Sequence, residues 1–212
     1  MENPTRRRVL VAGLTGTALG LIGGRTALAG TTPPSTDETD TESSGSGPTT
    51  TEPPGRPTAE DTDTLVFAQG VELTAQDLYQ AALDTGADNP VLMLMRDNHR
   101  AYAQIIGGIL GTKATGERDE ALYRDLEPSF AKADFSAVVG PAYDLESTLV
   151  ASHTELLRLL QGVDGAKVIA SILIVEARQG TVLADAAGMG DDFDALFIND
   201  ASPITMSGAR GG

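Results

Sequence analysis

The chain has no cysteine and no tryptophan. Without cysteine there is no disulfide framework, no zinc–thiolate or iron–sulfur centre and no thiol nucleophile. A lipoprotein anchor on a diacylated cysteine is excluded for the same reason. Basic residues are scarce: 15 Lys and Arg stand against 30 Asp and Glu, a formal charge of −15 over 212 residues. Phosphate binding needs clustered Lys and Arg, so nucleic acid is excluded as a partner, and so is an anionic membrane surface. There is no Gly-x-Ser-x-Gly elbow, no phosphate-binding loop and no dinucleotide fingerprint. The first sixty residues are not globular in composition, which leaves about 150 residues, enough for one core.

The few basic residues are unevenly placed. Arg6, Arg7 and Arg8 precede an apolar stretch, Val9 to Gly23, and Ala27-Leu28-Ala29 is a small-x-small cleavage site. The run Thr5-Arg6-Arg7-Arg8-Val9-Leu10 resembles the twin-arginine export consensus. Residues 1–29 therefore read as a twin-arginine signal peptide; the alternative is an uncleaved N-terminal anchor, for which the apolar stretch is short. The expected location is extracellular, periplasmic or in the cell envelope. Cleavage removes four arginines and one glutamate, leaving 11 basic and 29 acidic residues, net −18. Residues 30–63 are Thr, Ser, Pro, Gly, Asp and Glu, with eight acids and one Arg. They cannot bury enough apolar surface to offset their ordering entropy, so an extended, disordered linker is expected, either a tether or a plain spacer.

From Thr64 the spacing becomes helical. Four amphipathic helices are expected over 64–190. The first runs about 63–83 with the stripe Leu65, Ala68, Glu72, Ala75, Tyr79, Ala82. The second opens after Pro90 with Leu92, Met95, Arg96, His99, Tyr102, Ala103, Ile106 and Leu110, and Met93 is expected in the core beside Met95. The third opens at Pro141 with Ala142, Leu145, Glu146, Leu149, Ser152, His153 and Leu156. The fourth starts near Asp164 with Ile169, Ile172, Leu173, Glu176, Gln179, Gly180 and Leu183. Short connections at 84–89 and 162–163 make two antiparallel pairs, and the long stretch 112–140 is a single crossover. Part of that crossover, 120–127, is expected to form a short helix. Gly107-Gly108 either admits a close neighbour or weakens its helix. In the tail, 191–212, Phe193, Leu196, Phe197 and Ile198 are expected to dock on the bundle.

Each helix places an ionisable or amide side chain on or beside its apolar stripe near mid-length: Glu72, Arg96 with His99, Glu146, and Glu176 with Gln179. A lone buried carboxylate is costly unless it is paired, protonated or metal-bound. These groups should meet at one level of the bundle.

This pattern resembles the ferritin-like superfamily, in its exported bacterial branch. The resemblance implies an all-α ferritin-like four-helix bundle with one long crossover between helices two and three. It also implies a two-metal site of Glu, Glu-x-x-His, Glu and Glu-x-x-His. Glu72 and Glu146 match the two single glutamates. Ile174-Val-Glu176-Ala-Arg-Gln179 matches one Glu-x-x-His with Gln for His, and Arg96-Asp-Asn-His99 matches the other with Arg for Glu. Arg96 and Gln179 thus occupy two lost ligand positions.

Two readings follow. In the first, Arg96 substitutes for the metal's charge and bridges Glu72 with Glu146 or Glu176. The domain is then a non-catalytic bundle with a degenerate site, no cofactor and a structural, protective or protein-interaction role. In the second, Glu72, His99 and Glu176 hold a single iron or manganese ion in a metal-binding protein or oxidoreductase, with Glu146 nearby. His153 carries no ligand role by the resemblance and reads as a hydrogen-bonded core histidine. Tyr79 and Tyr102 read as packing residues or hydrogen-bonding partners of the site. Asp191, Asp192 and Asp194 lack calcium-loop spacing and read as a solvated turn. The acidic charge favours a monomer or dimer over a cage.

Overall fold

In the computed structural model, residues 55–206 are described. The expected signal peptide (1–29), residues 30–54 of the expected linker and the last six residues lie outside them. The described residues contain helices and no strand: α1 (Ala59–Thr85), α2 (Pro90–Leu110), a 3-10 turn (Gly111–Lys113), α3 (Glu120–Phe130), α4 (Phe135–Leu159), α5 (Val163–Ala186) and α6 (Phe193–Phe197). Among the described residues no helix is long and apolar enough to cross a membrane.

The helix ends follow from capping chemistry. Thr58 and Asp61 form a reciprocal capping box that starts α1 inside the segment expected as linker. Residues 59–63 are thus the first turn of the bundle. Gly86, in the left-handed region at φ 112°, closes α1. Asn89 caps α2, and Pro90 fills the first turn. The helix expected to open at Pro141 instead begins at Phe135, because Asp134 accepts from Ser136 N at 3.1 Å and caps it there. Pro141 is carried inside α4.

α1 packs chiefly on α2, and α4 on α5; α1 against α4 and α2 against α5 complete the square. Asp61, at the start of α1, accepts from Gln161 N and Gly162 N, just past the end of α4. α1 and α4 are therefore antiparallel, and α2 and α4 run in the same direction. That geometry needs a crossover spanning the bundle's height. The crossover is clamped onto α1 on its way: Arg118 bridges Asp77 and Glu120 at 2.8 Å each and lies over the Tyr123 ring. Phe130, at the end of α3, is buried edge-on against Tyr79.

The apolar interior is in two parts. One contains Val71, Ala75, Leu78, Leu92, Met95, Ala142, Leu145 and Leu183. The other contains Leu65, Ala68, Ile106, Leu156, Ile169 and Ile172. His99, His153, Glu176 and Gln179 lie between them in their helices' sequences, and Glu72 lies beside Val71 at the edge of the first. Met95 is buried but Met93 is 37% exposed, so only one of that pair is core. The glycine pair in α2 divides likewise. A side chain at Gly107 would meet the buried amide of Gln69, whereas Gly108 faces open space.

The tail docks differently from expectation. Phe193, Phe197 and Ile198 are largely exposed, and the two phenylalanines stack on each other. Leu196 is half-buried and Ile204 packs against the core, and polar contacts hold the segment to α4. Tyr143 donates to Ala195 O at 3.0 Å, Asn199 Nδ2 donates to Ser147 O at 2.8 Å, and Ser152 Oγ accepts from Ile204 N at 2.9 Å.

Candidate metal centre

The mid-helix polar residues converge as the stripes require. Glu72 from α1, His99 from α2, Glu146 and His153 from α4, and Glu176 from α5 are each completely buried. They form a chain of contacts across the bundle. Tyr79 donates to Glu146 Oε1 at 2.5 Å. The same oxygen lies 3.0 Å from His99 Nε2, and His99 Nδ1 lies 2.7 Å from Glu72 Oε2. Glu72 Oε1 is 3.2 Å from His153 Nε2, and His153 Nδ1 is 2.7 Å from Glu176 Oε2. The Glu72–His153 contact is within ion-pair reach but poorly aligned, so neither atom gains a hydrogen bond from it.

Each histidine therefore stands between two carboxyl groups. A carboxylate only accepts, so an imidazole between two of them is held as a double donor. Burial pushes both histidines toward neutrality, but the facing glutamates outweigh it. His99 is raised well above its ordinary value by Glu146 and Glu72, and His153 is raised to about 10 by Glu176 and Glu72. Burial would likewise raise Glu72, yet the two histidines bring it down to about 2. Two imidazolium charges cannot offset three carboxylates. Glu176 takes up the difference: burial raises it, His153 pulls it back, and the charges on Glu72 and Glu146 leave it at about 7. Tyr79, buried against Glu146, is raised well above its ordinary value and stays a donor. Its ring stacks on His99, and Tyr102 meets His99 edge-on.

Arg96 is not in this layer. Its guanidinium reaches Asp97 Oδ1 at 2.8 and 2.9 Å and Gln80 Oε1 at 3.2 Å, and its side chain is 27% exposed. The expected Arg96 bridge between buried carboxylates is corrected accordingly. Position 96 lies at the edge of the stripe, and a long side chain there carries its charge out to water rather than losing hydration. The cations facing the glutamates are the two imidazoles. Gln179 does lie inside, and neither its Oε1 nor its Nε2 has a hydrogen-bond partner.

His153 is a hydrogen-bonded core histidine, as its place on the stripe suggested, but it also belongs to the cluster. Glu72, His153 and Glu176 each offer a ligand atom within 4.8 Å of the others. The sequence had grouped His99 with Glu72 and Glu176. The structure places His99 between Glu72 and Glu146 instead. The signal for His153 was its spacing of seven from Glu146, two turns along one face of α4. Its use depends on α1 and α4 being antiparallel, which sets Glu72 opposite His153 and Tyr79 opposite Glu146.

Several buried atoms of the layer are without hydrogen-bond partners: Glu72 Oε1, Glu146 Oε2, His153 Nε2 and Glu176 Oε1. Orphaned polar atoms of this kind are rare in finished interiors. Two carboxylates and an imidazole are a donor set suited to iron, manganese or zinc. The residues present therefore fit a divalent cation.

A family model described as a ferritin-like domain matches residues 60–189, more than half of the chain. The chain belongs to that family. No curated protein and no solved structure matches it.

Proposed function

We propose that this member of the ferritin-like domain family is an exported metal-binding protein that holds one divalent transition-metal ion at Glu72, His153 and Glu176. The observation that carries the reading is the coincidence of two features. The three residues offer ligand atoms within 4.8 Å of one another, and each has a buried atom left without a hydrogen bond, Glu72 Oε1, His153 Nε2 and Glu176 Oε1, with Glu146 Oε2 and the Gln179 amide unpartnered beside them. A cation of charge +2 satisfies such atoms and removes the need for protons on His153 and Glu176.

The surrounding residues hold that trio in place. His99 binds the second oxygen of Glu72 and passes the restraint through Glu146 to Tyr79. Such outer partners fix the orientation of a ligating carboxylate. A bound iron or manganese ion supplies Lewis-acid or one-electron chemistry. Export rests on Arg6–Arg8, the apolar run and Ala27–Ala29, and the twin-arginine route carries folded proteins, so the ion would be loaded beforehand. The mature chain's excess of acids suits a monomer or dimer with a protein partner.

A second reading has its own support. Two imidazoles paired with carboxyl groups come close to neutralising the layer without an ion, so the degenerate site can serve as a polar layer in a non-catalytic bundle. Elemental analysis decides between them, on the full chain purified from cells supplied with iron and manganese. One ion per chain, lost in His153→Ala, supports the metal-binding reading. Two ions per chain overturn the mononuclear site. No ion in a folded, helical protein leaves the second reading.

A further inference from the structure

A cleft of about 110 Å³ opens beside the buried layer, between α4, α5 and the start of the tail. Its walls include small side chains, Ser147, Ala177, Gly180 and Thr181, and two of its lining residues are Glu146 and Glu176. Those are the glutamates whose Oε2 and Oε1 atoms, respectively, are buried without a partner. Gly180 leaves the cleft open where a side chain would stand over Glu146: a Cβ there would come 3.8 Å from Glu146 Cβ. Residues 195–199 cover the cleft's outer side. Their apolar side chains alone do not fix them: Phe197 and Ile198 are 80% and 58% exposed, and Leu196 is only half-buried. Two hydrogen bonds across the cleft do: Tyr143 to Ala195 O and Asn199 to Ser147 O.

From this placement we infer that the cleft is the port through which a divalent cation reaches the buried cluster, and that residues 195–199 are its lid. The inference rests on the metal-binding reading and adds the route. Glu146 has a role of its own in it. It is outside the Glu72–His153–Glu176 trio, yet it lines the cleft and its Oε2 has no hydrogen-bond partner, which suits a transit ligand for an incoming cation. Ser147 and Thr181 add oxygen ligands along the way for an ion that is shedding its water. The lid is weakly held: besides the half-buried Leu196 its anchors are two hydrogen bonds, one partly buried and one exposed, and segments with few buried apolar contacts open first.

The chain's lack of cysteine makes the lid directly testable. In the full chain, Gly180→Cys introduces a single thiol beneath the lid, where the added Cβ meets only ordinary van der Waals contact. Its labelling by a maleimide should be slow, and should accelerate about fivefold when Tyr143→Phe or Asn199→Ala removes one anchor, and more when both are removed. Ala177 lies exposed at the mouth. Ala177→Trp should slow uptake of manganese, followed by stopped-flow chelator competition, about tenfold or more with stoichiometry and equilibrium affinity unchanged, as expected for a gate rather than a ligand. Labelling that ignores the anchors overturns the lid. Uptake that ignores the tryptophan, with manganese still bound, overturns the port. A wild-type chain that binds no manganese while its Gly180→Cys variant still responds to the anchors refutes the metal-binding reading and with it the port, but not the lid.

Discussion

Glu72 joins the two histidines of the buried layer, so Glu72→Gln is the most informative single change. The carboxylate faces His99 Nδ1 at 2.7 Å with one oxygen and His153 Nε2 at 3.2 Å with the other. A glutamine offers one acceptor and turns its amide donors toward the second imidazole. Removing one partner of a buried ion pair costs about 3–5 kcal/mol, because the remaining charge stays buried without compensation. A domain of this size has about 5–15 kcal/mol in total, so the variant should fold, but with a much lower urea midpoint. At about 2–4 °C per kcal/mol its Tm should fall by roughly 10 °C. Metal supplies the second half of the experiment. An ion at 100 times its Kd should stabilise the wild type by about 2.7 kcal/mol and the variant by nothing. Thermal and urea unfolding with and without manganese measure both effects. A variant within about 1 kcal/mol of the wild type would show that the layer is not charge-loaded as described, since that is below the cost of breaking any buried pair. Equal stabilisation of both proteins by manganese would place the ion elsewhere.

Arg96→Ala should change stability by less than about 0.5 kcal/mol and leave metal affinity unaltered, since its ion pair is at the surface; a clear gain in affinity by calorimetric titration would mean that the guanidinium does reach the glutamates. Asp61 accepts from the backbone of Thr58, Gln161 and Gly162, so Asp61→Ala should cost about 3 kcal/mol or more in urea unfolding, and a loss below 1 kcal/mol would refute its role as the tie between α1 and the α4–α5 turn. Burial raises the Asp61 carboxyl, but those N–H groups outweigh it and leave it below its ordinary value. Its contribution is therefore complete above the unfolded-state pKa of about 3.9 and disappears as pH falls through the lower folded value; a stability–pH profile in which Asp61→Ala and the wild type fail to converge in acid would contradict this. Gly108→Ala should stabilise α2 by up to about 1 kcal/mol. Gly107→Ala should lose that gain and more, because its Cβ would come 2.6 Å from Gln69 Nε2, which donates to Ala103 O; denaturant midpoints of the pair should move in opposite directions.

The apolar stripes carried the bundle in plain view: Leu65, Ala68, Ala75 and Ala82 on α1 and Ile169, Ile172 and Leu183 on α5 are all buried. Loop lengths supplied the pairing, because a short connection forces antiparallel neighbours and a long one permits a crossover. The boundaries were harder to read. Asp61 looked like one more acid in a polar linker, and its three backbone partners become apparent only once Gly162 is brought beside it. Asp134 caps α4, but the more conspicuous Pro141 put the expected start six residues after the actual one at Phe135. Periodicity also placed Arg96 and His99 on one stripe without distinguishing a side chain that turns inward from one long enough to leave. That difference moves a permanent cation out of the core and gives its role to titratable imidazoles. The tail was misread in part: its aromatic residues suggested burial but stay exposed, while Leu196, Ile204 and Met206 are the apolar residues that pack and main-chain groups make the polar attachments that no hydrophobic pattern records.

The buried layer is hard to account for as architecture alone. Five ionisable side chains interrupt an otherwise apolar interior, and well-packed hydrophobic residues of similar volume are often neutral or more stabilising at such positions. Register could be set more simply: a single buried polar pair fixes alignment in helical assemblies. Here α1 is already tied to the α4–α5 turn by the Asp61 contacts at one end, and Phe130 of α3 packs edge-on against Tyr79 of α1 farther along. The layer also leaves Glu72, Glu146 and Glu176 each with an oxygen unbonded, the opposite of what a satisfied polar network selected for stability would show. Those oxygens are not distributed at random. Two of them belong to the glutamates that line the cleft, and two belong to the trio whose ligand atoms gather within 4.8 Å. Glu176 is common to both sets, which makes it the residue through which an ion passing the cleft would be handed to the trio. A layer kept for packing has no need of such a residue; a layer kept for an ion does.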